Sequence, residues 1–222
     1  MTMPLPAFDD VTPVRSATSL YSTVGKRLLD MMLVMIALPI VIPALALILV
    51  ATWAEGGKPI YSQRRVGLGG REFSCWKVRT MVQNADQVLV NLIAQDPGIA
   101  DEWYKNQKLA RDPRITRLGR FLRRSSLDEL PQLLNVLNGT MSLIGPRPFT
   151  PDQKALYSGG RDCAYYYLRP GLSGLWQVSR RSAGSFADRV HYDEIYSQRL
   201  SLAFDARILW RTFSVVLRAT GL

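Results

Sequence analysis

The stretch Met31–Ala54, MMLVMIALPIVIPALALILVATWA, decides the fold, because it contains no charged residue from end to end. It is longer than the roughly 20 apolar residues with which an α-helix crosses a hydrocarbon core about 30 Å thick. It is also too long for the apolar region of a secretory signal and lacks a clean cleavage site of small residues. The sequence therefore predicts a helix inserted in a membrane.

Two features of this stretch bear on its course through the bilayer. Pro39 and Pro43 lie inside it, and each removes a backbone donor and crowds the preceding turn, so a bend or break is expected there. Basic residues favour the cytoplasmic side of a membrane, and here they lie on both flanks: Lys26, Arg27, Lys58, Arg64, Arg65 and Arg71. A re-entrant helix keeps both clusters on one side. From the residues alone, a re-entrant course and a single crossing are about equally favoured.

The anchor divides the chain into three parts. Residues 1–20 are rich in Pro, Ser and Thr and are predicted to form a disordered tail. Residues 21–56 form the membrane anchor, and residues 57–222 form one cytosolic domain. Within that domain, Tyr61–Arg79 is predicted to form a short β-hairpin, because GLGG at 67–70 supplies turn residues between two strand-like segments. Most of the remainder is predicted to be helical, so the fold class is α+β, mostly α.

Two other segments of the domain carry helical patterns. Residues 81–110 are predicted to be helical with an interruption at 96–98, where the sequence reads Asp-Pro-Gly. Residues 202–218 are amphipathic, with arginines interleaved among large apolar side chains. This last helix either packs on the core or lies in the membrane interface, where basic residues meet anionic headgroups.

Composition limits the classes of function. The 222 residues carry a net charge of +10, which favours an acidic partner such as anionic lipid, a phosphorylated substrate or nucleic acid. Nucleic acid is not expected, because the aromatic residues are not interleaved with Lys and Arg as in a stacking platform. Cys75 and Cys163 match no zinc or redox spacing and are expected to be reduced thiols. His191 is the only histidine, so a histidine-based triad or metal site is not expected.

The segment ARDPRITRLGRFLRRSSLDELPQLLNVLNG, residues 110–139, predicts a helix that begins with acidic residues. Its leucines recur at i, i+3, i+4 and i+7 and predict one apolar face: Leu130, Leu133, Leu134 and Leu137. Gly139 is a natural stop. Ser126 and Glu129 have the spacing of a capping box, with Asp128 as the alternative cap. In both cases Asp128 and Glu129 are expected in the first helical turn.

Charged residues around this helix start suggest phosphate chemistry. A helix N-terminus favours phosphate, and arginines can bind phosphate oxygens in pairs; the nearby ones are Arg123, Arg124 and Arg147. A carboxylate there could attack phosphorus or hold Mg²⁺, which would shield it from the charge of a diphosphate. Against this stands the simpler reading that Asp128 and Glu129 only cap a helix, as acidic residues often do.

At these residues the chain resembles the bacterial sugar transferases, the monotopic phosphoglycosyl transferases. The resemblance is carried by SSLDELPQLLNVLNGTMSLIGPRP at 125–148, KRLLD at 26–30, QRRVGLGGREFSCWKVRTM at 63–81 and RPGLSGLWQV at 169–178. It runs from about Gly25 to Leu217. The segment 95–119 further resembles the exopolysaccharide-initiating galactose-1-phosphate transferases. The family joins a UDP-sugar to undecaprenyl phosphate and releases UMP.

The resemblance implies specific roles for the acidic pair and its neighbours. Asp128 matches the nucleophile that forms a covalent phosphosugar intermediate, and it is expected close to Mg²⁺. Glu129 matches the second member of the dyad, which orients groups and assists the lipid phosphate. Arg123 matches an arginine that holds phosphate.

Further matches concern substrate binding and the anchor. Arg147 lies in the Pro-Arg-Pro motif tied to nucleotide-sugar binding, between Pro146 and Pro148. Lys77 and Arg79 match the family's basic pair. The resemblance also implies a re-entrant membrane helix, broken at Pro43 with Pro39 as an additional proline; here Ile42 stands where the family has Ser.

These matches define the expected function and partners. The enzyme would transfer galactose- or glucose-1-phosphate at the cytoplasmic face of the bacterial inner membrane, as the first membrane step of exopolysaccharide synthesis. Its partners would be the UDP-sugar, undecaprenyl phosphate and membrane lipid, and the sequence allows a homo-oligomer. The alternatives are a non-catalytic membrane-bound regulatory or scaffold protein, and a glycosyl transferase that releases UDP.

Overall fold

The computed structural model describes residues 20–106, 109–157, 163–180, 186 and 188–217. The predicted disordered tail lies almost wholly outside the described residues. The fold is mostly helical, with a small antiparallel hairpin and one short pair of parallel strands. The helices are α1 (Lys26–Ala54), α2 (Ala85–Gln95), α3 (Pro97–Asn106), α4 (Arg117–Ser125), α5 (Gln132–Leu137), α6 (Leu175–Arg180), α7 (Asp188–Arg199) and α8 (Leu202–Leu217). The strands are β1 (Ile60–Val66), β2 (Glu72–Val78), β3 (Ser142–Ile144) and β4 (Gly171–Ser173).

Helix α1 holds the apolar stretch and continues through both prolines. The expected break into two helices at Pro39 and Pro43 is therefore not present as an interruption of the helical backbone. Each proline removes only one N–H, and the long flanking turns keep the helix together. The two prolines lie four residues apart, on the same side of the helix, and both are exposed.

One face of α1 packs on the rest of the protein and the other is bare. The packed face buries Val34 against β2 and α5, with Leu38 and Val41 beside it. The opposite face exposes large apolar side chains: Met32, Met35, Ile36, Ile40, Ile42, Leu47, Val50 and Trp53. Within the described part of the chain, the helical stretch that contains α1 is the one long and apolar enough to cross a membrane. Such a bare surface is what a lipid-embedded helix requires.

Both ends of α1 are tied to the same domain. Near its start, Arg27 donates to the carbonyls of Val136 and Leu137 at the end of α5, and Lys26 pairs with Asp205 of α8 at 2.6 Å. Near its end, Arg79 donates to the Thr52 carbonyl at 2.8 Å. These arginines occupy carbonyls that a helix end leaves without partners.

The β-hairpin agrees with the sequence prediction. β1 and β2 pair antiparallel, with Ile60 opposite Val78 and Val66 opposite Glu72. Gly69 and Gly70 have φ of 65° and 76°, which explains the glycines of the turn. The predicted helical region also has its interruption where expected, since α2 ends at Gln95 and α3 begins at Pro97.

The sequence pattern did not predict the strands β3 and β4. The two strands pair parallel, with Ser142 opposite Gly171. Their close approach depends on glycine, because a Cβ on Gly145 or on Gly174 would clash with the backbone of the neighbouring strand or loop. The carboxyl ends of both strands therefore lie side by side, which brings the segments that follow them together.

Candidate active site

The acidic pair lies in a tight turn between α4 and α5. Ser126 ends α4 in a left-handed conformation with φ of 59° and makes no side-chain cap. The predicted capping box is therefore wrong. Leu127–Glu129 forms one turn of 3₁₀-helix, and α5 begins only at Gln132. Asp128 and Glu129 thus precede α5, so neighbouring side chains rather than a helix N-terminus set their electrostatics.

The helix after the turn is shorter than predicted and its apolar face is different. Leu133 and Val136 are buried against α1 and β2, three residues apart on one face of α5. Leu134, which was expected on the same face, is 54% exposed. The leucine spacing predicted a longer helix, whereas the six residues of α5 bury a narrower stripe.

Glu129 is held by two cations. The Lys77 Nζ donates to Glu129 Oε1 at 2.8 Å, and Arg147 Nη2 donates to the same oxygen at 3.3 Å. Burial alone would raise the pKa of this carboxyl, but the charges of Lys77 and Arg147 outweigh it and lower the pKa to about 2. Glu129 therefore stays ionised and fixed at neutral pH.

Asp128 is the opposite case. It is buried, and no described residue donates a hydrogen bond to its carboxylate. Burial and the adjacent charge of Glu129 raise its pKa, against the opposing charges of Lys77, Arg123 and Arg147. Its oxygens are uncommitted, so they are free to meet a substrate atom or a metal ion.

The other predicted site residues contact the segments around the acidic pair. Arg123 donates to the Thr80 hydroxyl at 2.9 Å, and its charge acts on Asp128. Pro146 and Pro148 hold the loop of Arg147: the Pro146 carbonyl accepts from Gly171, and the Pro148 carbonyl accepts from Arg65.

Arg79 does not join the acidic pair through any hydrogen bond recorded among the described residues. It binds the Thr52 carbonyl at the end of α1 instead, although only one residue separates it from Lys77. Lys77 and Arg79 were predicted as one phosphate-binding pair, and in the structure only Lys77 contacts the dyad. A role of Arg79 in phosphate binding stays a prediction.

Sequence reasoning missed Arg65 at the site. A small cleft beside Glu129 is lined by Arg65, Cys75, Lys77, Gln132, Arg147 and Leu172, among others. Arg65 was used only as a flanking charge of the anchor. The register of the hairpin could have indicated this position, because it places Arg65 opposite Phe73, which is buried in the domain core.

The donor set fits a magnesium ion only in part. Within the described residues there is no group of three or more His, Cys, Asp or Glu side chains that would form a complete protein site. Mg²⁺, however, is commonly held by one or two carboxylates together with substrate phosphates. Asp128 has the free oxygens for this, whereas Glu129 is already engaged by Lys77 and Arg147.

The chemistry available here is attack on phosphorus beside a fixed positive field. Arg65, Lys77 and Arg147 line the cleft beside Glu129, and the charges of Lys77, Arg123 and Arg147 act on Asp128, so positive charge is left over for phosphate oxygens. An ionised, uncommitted carboxylate in such a field is a suitable nucleophile towards a phosphate ester.

The matching family and two similar proteins agree with one another, because all three are described as transferases. The family described as "Bacterial sugar transferase" matches residues 21–219. The chain is 44% identical over 197 residues to the UDP-galactose-lipid carrier transferase of Erwinia amylovora, across 88% of the chain. It is 45% identical over 197 residues to the undecaprenyl-phosphate galactose phosphotransferase of Salmonella typhimurium, also across 88% of the chain.

A shorter relative matches over most of both lengths. The exopolysaccharide production protein ExoY of Rhizobium meliloti is 42% identical over 200 residues, which covers 89% of this chain and 87% of that protein. By contrast, the chain spans only 41% of the length of the Erwinia and Salmonella proteins.

Proposed function

The chain belongs to the bacterial sugar transferase family, and from this premise we propose that it transfers a sugar-1-phosphate from a UDP-sugar to undecaprenyl phosphate. The products would be UMP and a lipid-linked diphosphosugar. The names of the Erwinia and Salmonella relatives favour galactose, and glucose is the alternative. The name of the Rhizobium relative supports a role at the start of exopolysaccharide synthesis.

In the first step an oxygen of Asp128 attacks the phosphorus that carries the sugar. The bond from this phosphorus to the bridging oxygen of the diphosphate breaks, and UMP leaves with the electron pair. Asp128 then carries the phosphosugar as an acyl phosphate. The burial of Asp128 supports this step, because a desolvated carboxylate with a raised pKa is a stronger nucleophile when ionised.

In the second step a phosphate oxygen of undecaprenyl phosphate attacks the same phosphorus. The acyl phosphate bond breaks and the Asp128 carboxylate is regenerated. Glu129 orients Lys77 and Arg147, which meet the charge of the donor phosphates and later of the lipid phosphate. Arg123 reinforces the same field. Mg²⁺, bound by Asp128 and substrate phosphates, would supply charge neutralisation at the phosphoryl oxygens.

We further propose that α1 is re-entrant and that the domain lies on the cytoplasmic face of the inner membrane. The contacts at its two ends support this, because Arg27 near the start and Thr52 near the end both bind the same domain. A single crossing would place these two ends on opposite sides of the membrane, where one domain could not bind both. Pro39 and Pro43 lie between them and allow the bend.

The observation that carries the catalytic proposal is the contrast within the acidic pair. Glu129 is fixed by Lys77 and Arg147, whereas Asp128 is buried with uncommitted oxygens. A pair that only caps a helix would not require this division, and the turn here makes no side-chain cap at Ser126.

Nucleotide release tests the proposal. The detergent-solubilised protein is mixed with UDP-galactose or UDP-glucose, Mg²⁺ and undecaprenyl phosphate, and UMP is measured against UDP. We expect UMP, dependent on the lipid and lost in Asp128→Asn. Asp86→Asn, at an exposed position of α2, is the matched control and should behave like the wild type.

The other outcomes identify the alternatives. UDP in place of UMP would make the protein a glycosyl transferase. The absence of nucleotide release from folded protein with every UDP-sugar tried would favour the non-catalytic membrane-bound regulatory or scaffold protein.

A further inference from the structure

The motif RPGLSGLWQV at 169–178 has no role in the mechanism above, yet it lies directly behind the Pro-Arg-Pro loop. β4 pairs parallel with β3, so Gly174 and the start of α6 lie beside the loop that follows β3. A Cβ on Gly174 would clash with the Gly145 carbonyl and would come within 2.8 Å of Gln177 Oε1. The amide of Gln177 is therefore packed close to the loop that carries Arg147.

Within the part of the chain that the structure describes, this amide has no hydrogen-bond partner at either end. Gln177 is 5% exposed, and neither its Oε1 nor its Nε2 forms a hydrogen bond. The neighbouring Trp176 is buried as well, and its Nε1–H is also without an acceptor. Most buried polar groups in proteins are hydrogen-bonded, and two adjacent exceptions point to a partner that binds from outside the chain.

Two arginines with buried, unpartnered Nε atoms accompany them. Arg189 stacks between two rings, 4.3 Å from Trp176 and 4.4 Å from Phe186, so its plane is fixed. Burial, together with the charges of Arg147 and Arg65, lowers the pKa of Arg189 to about 10. The Nε atoms of Arg65 and Arg189 form no hydrogen bond with any described residue.

Among the described residues, two carboxylates, Glu129 and Asp193, act on the three arginines Arg65, Arg147 and Arg189. Arg147 shares Glu129 with Lys77. Near Arg189 the available acid is Asp193, whose pKa burial raises to about 7 against the Tyr157 hydrogen bond and the Arg189 charge. Like charges held together without counterions are stabilised by a bound polyanion.

We propose that these groups bind the uridine nucleotide of the donor: Gln177 pairs with the uracil edge, and Arg65 and Arg189 hold its phosphates. The proposal rests on the proposed function. Uracil presents an N3–H donor next to a carbonyl acceptor, and a primary amide offers the complementary acceptor and donor. The nucleotide site thus extends from the dyad through Arg147 to α6.

The test compares UMP with N3-methyl-UMP on the full chain in detergent, by titration calorimetry. The wild type should bind UMP about 10- to 100-fold more tightly, because two hydrogen bonds to Gln177 depend on the N3–H edge. Gln177→Met should abolish this preference by weakening UMP alone. Gln87→Met, at an exposed glutamine of α2, should leave it unchanged.

Thermal unfolding provides a second readout. A nearly isosteric Met removes an unsatisfied buried amide, so Tm should rise or stay constant while UMP affinity falls. A drop in Tm with unchanged UMP affinity would overturn the proposal, because Gln177 would then be a structural residue. A weaker binding of galactose-1-phosphate, with UMP unaffected, would also overturn it and assign the amide to the sugar.

The two proposals fail in different ways. A wild type that releases UMP but binds UMP and N3-methyl-UMP equally refutes only the role of Gln177. A folded wild type that releases no nucleotide and binds no UMP refutes the proposed function itself.

Discussion

Adjacent carboxylates at the site have opposite pKa shifts for identifiable reasons. Glu129 forms ion pairs with Lys77 and Arg147, and these charges lower its pKa. Burial and the adjacent charge of Glu129 raise the pKa of Asp128. Pairs of titratable groups whose environments separate their pKa values are common at catalytic sites. The contrast predicts that neutralising Asp128 and neutralising Glu129 have opposite effects on the stability of the fold.

Replacing Asp128 should abolish activity and increase stability. Because its folded-state pKa is raised, the neutral form stabilises the fold at low pH, and this contribution is lost as the pH rises through that pKa. Where the carboxylate is ionised it destabilises the fold, so Asp128→Asn should raise Tm. Differential scanning fluorimetry in detergent measures this. A lower Tm in Asp128→Asn would show that the carboxylate is structurally required.

Replacing Glu129 should have the opposite effect on stability. Its pKa falls from 4.5 to about 2 on folding, so its contribution, roughly 3 kcal/mol, is present above about pH 4.5 and lost towards pH 2. Glu129→Gln should lower Tm at pH 7 and remove most of this acid dependence. Glu72→Gln, exposed on β2, is the control. An unchanged Tm at pH 7 in Glu129→Gln would show that the ion pairs with Lys77 and Arg147 do not stabilise the fold.

At the residue scale, the sequence predicted which side chains lie together at the site better than it predicted the local backbone that positions them. The motif resemblance brought Asp128, Glu129, Lys77 and Arg147 together, and the structure does as well. The capping box at Ser126 failed because the left-handed backbone of that residue depends on how α4 ends. Gln177 escaped notice because only packing reveals that a buried amide has no partner.

Among the elements, α8 packs on the core with one face and leaves an apolar face exposed. Ile208 is buried in the core at 1% exposure, whereas Trp210 and Phe213 are 72% and 58% exposed. An apolar face opposite the core face suits the membrane interface. Core packing and interfacial position are therefore compatible within one helix.

A nitroxide label at position 210, introduced as Trp210→Cys in liposome-reconstituted protein, should collide more with oxygen than with a water-soluble nickel chelate. The native cysteines are buried and should label little. A label at the exposed Asp152 of the domain should show the reverse preference. A water-like signature at position 210 would exclude contact of this helix face with lipid.

Helix α1 makes a separate prediction about topology. Single cysteines at Val24 and Lys58, on either side of the apolar stretch, should both react with an impermeant maleimide applied to the cytoplasmic face of membrane vesicles. A cysteine at Leu47, exposed in mid-helix, should react from neither face because lipid covers it. Labelling of Val24 and Lys58 from opposite faces would establish a single crossing and refute the re-entrant course.

Strong local patterns predicted elements, and long-range pairings did not follow from them. The turn glycines predicted the β-hairpin, and the Asp-Pro-Gly segment predicted the interruption between α2 and α3. The parallel pair of β3 and β4 was missed because each strand has only three residues and pairs across a separation of about 30. The prolines predicted a bend or break in α1; the helical backbone is uninterrupted through both of them, and a bend there stays a prediction.

At the scale of the whole molecule, the proposed function places the cleft beside Glu129 at a membrane surface. The net charge of +10 suits a diphosphate donor, a lipid phosphate and an anionic bilayer. The ends of α1 and the outer face of α8 flank the domain that holds Asp128. Under the proposed function, an acceptor that cannot leave the bilayer would be reached without moving the site.

The central claim is that Asp128 carries the phosphosugar between donor and acceptor, and intact-mass spectrometry tests it most directly. The protein is incubated with UDP-galactose and Mg²⁺ without lipid, and peptide mapping locates any adduct. We predict one hexose phosphate on Asp128, absent in Asp128→Asn and removed by undecaprenyl phosphate. Protein that turns over with the lipid but forms no adduct, or forms it at another residue, would contradict the double displacement.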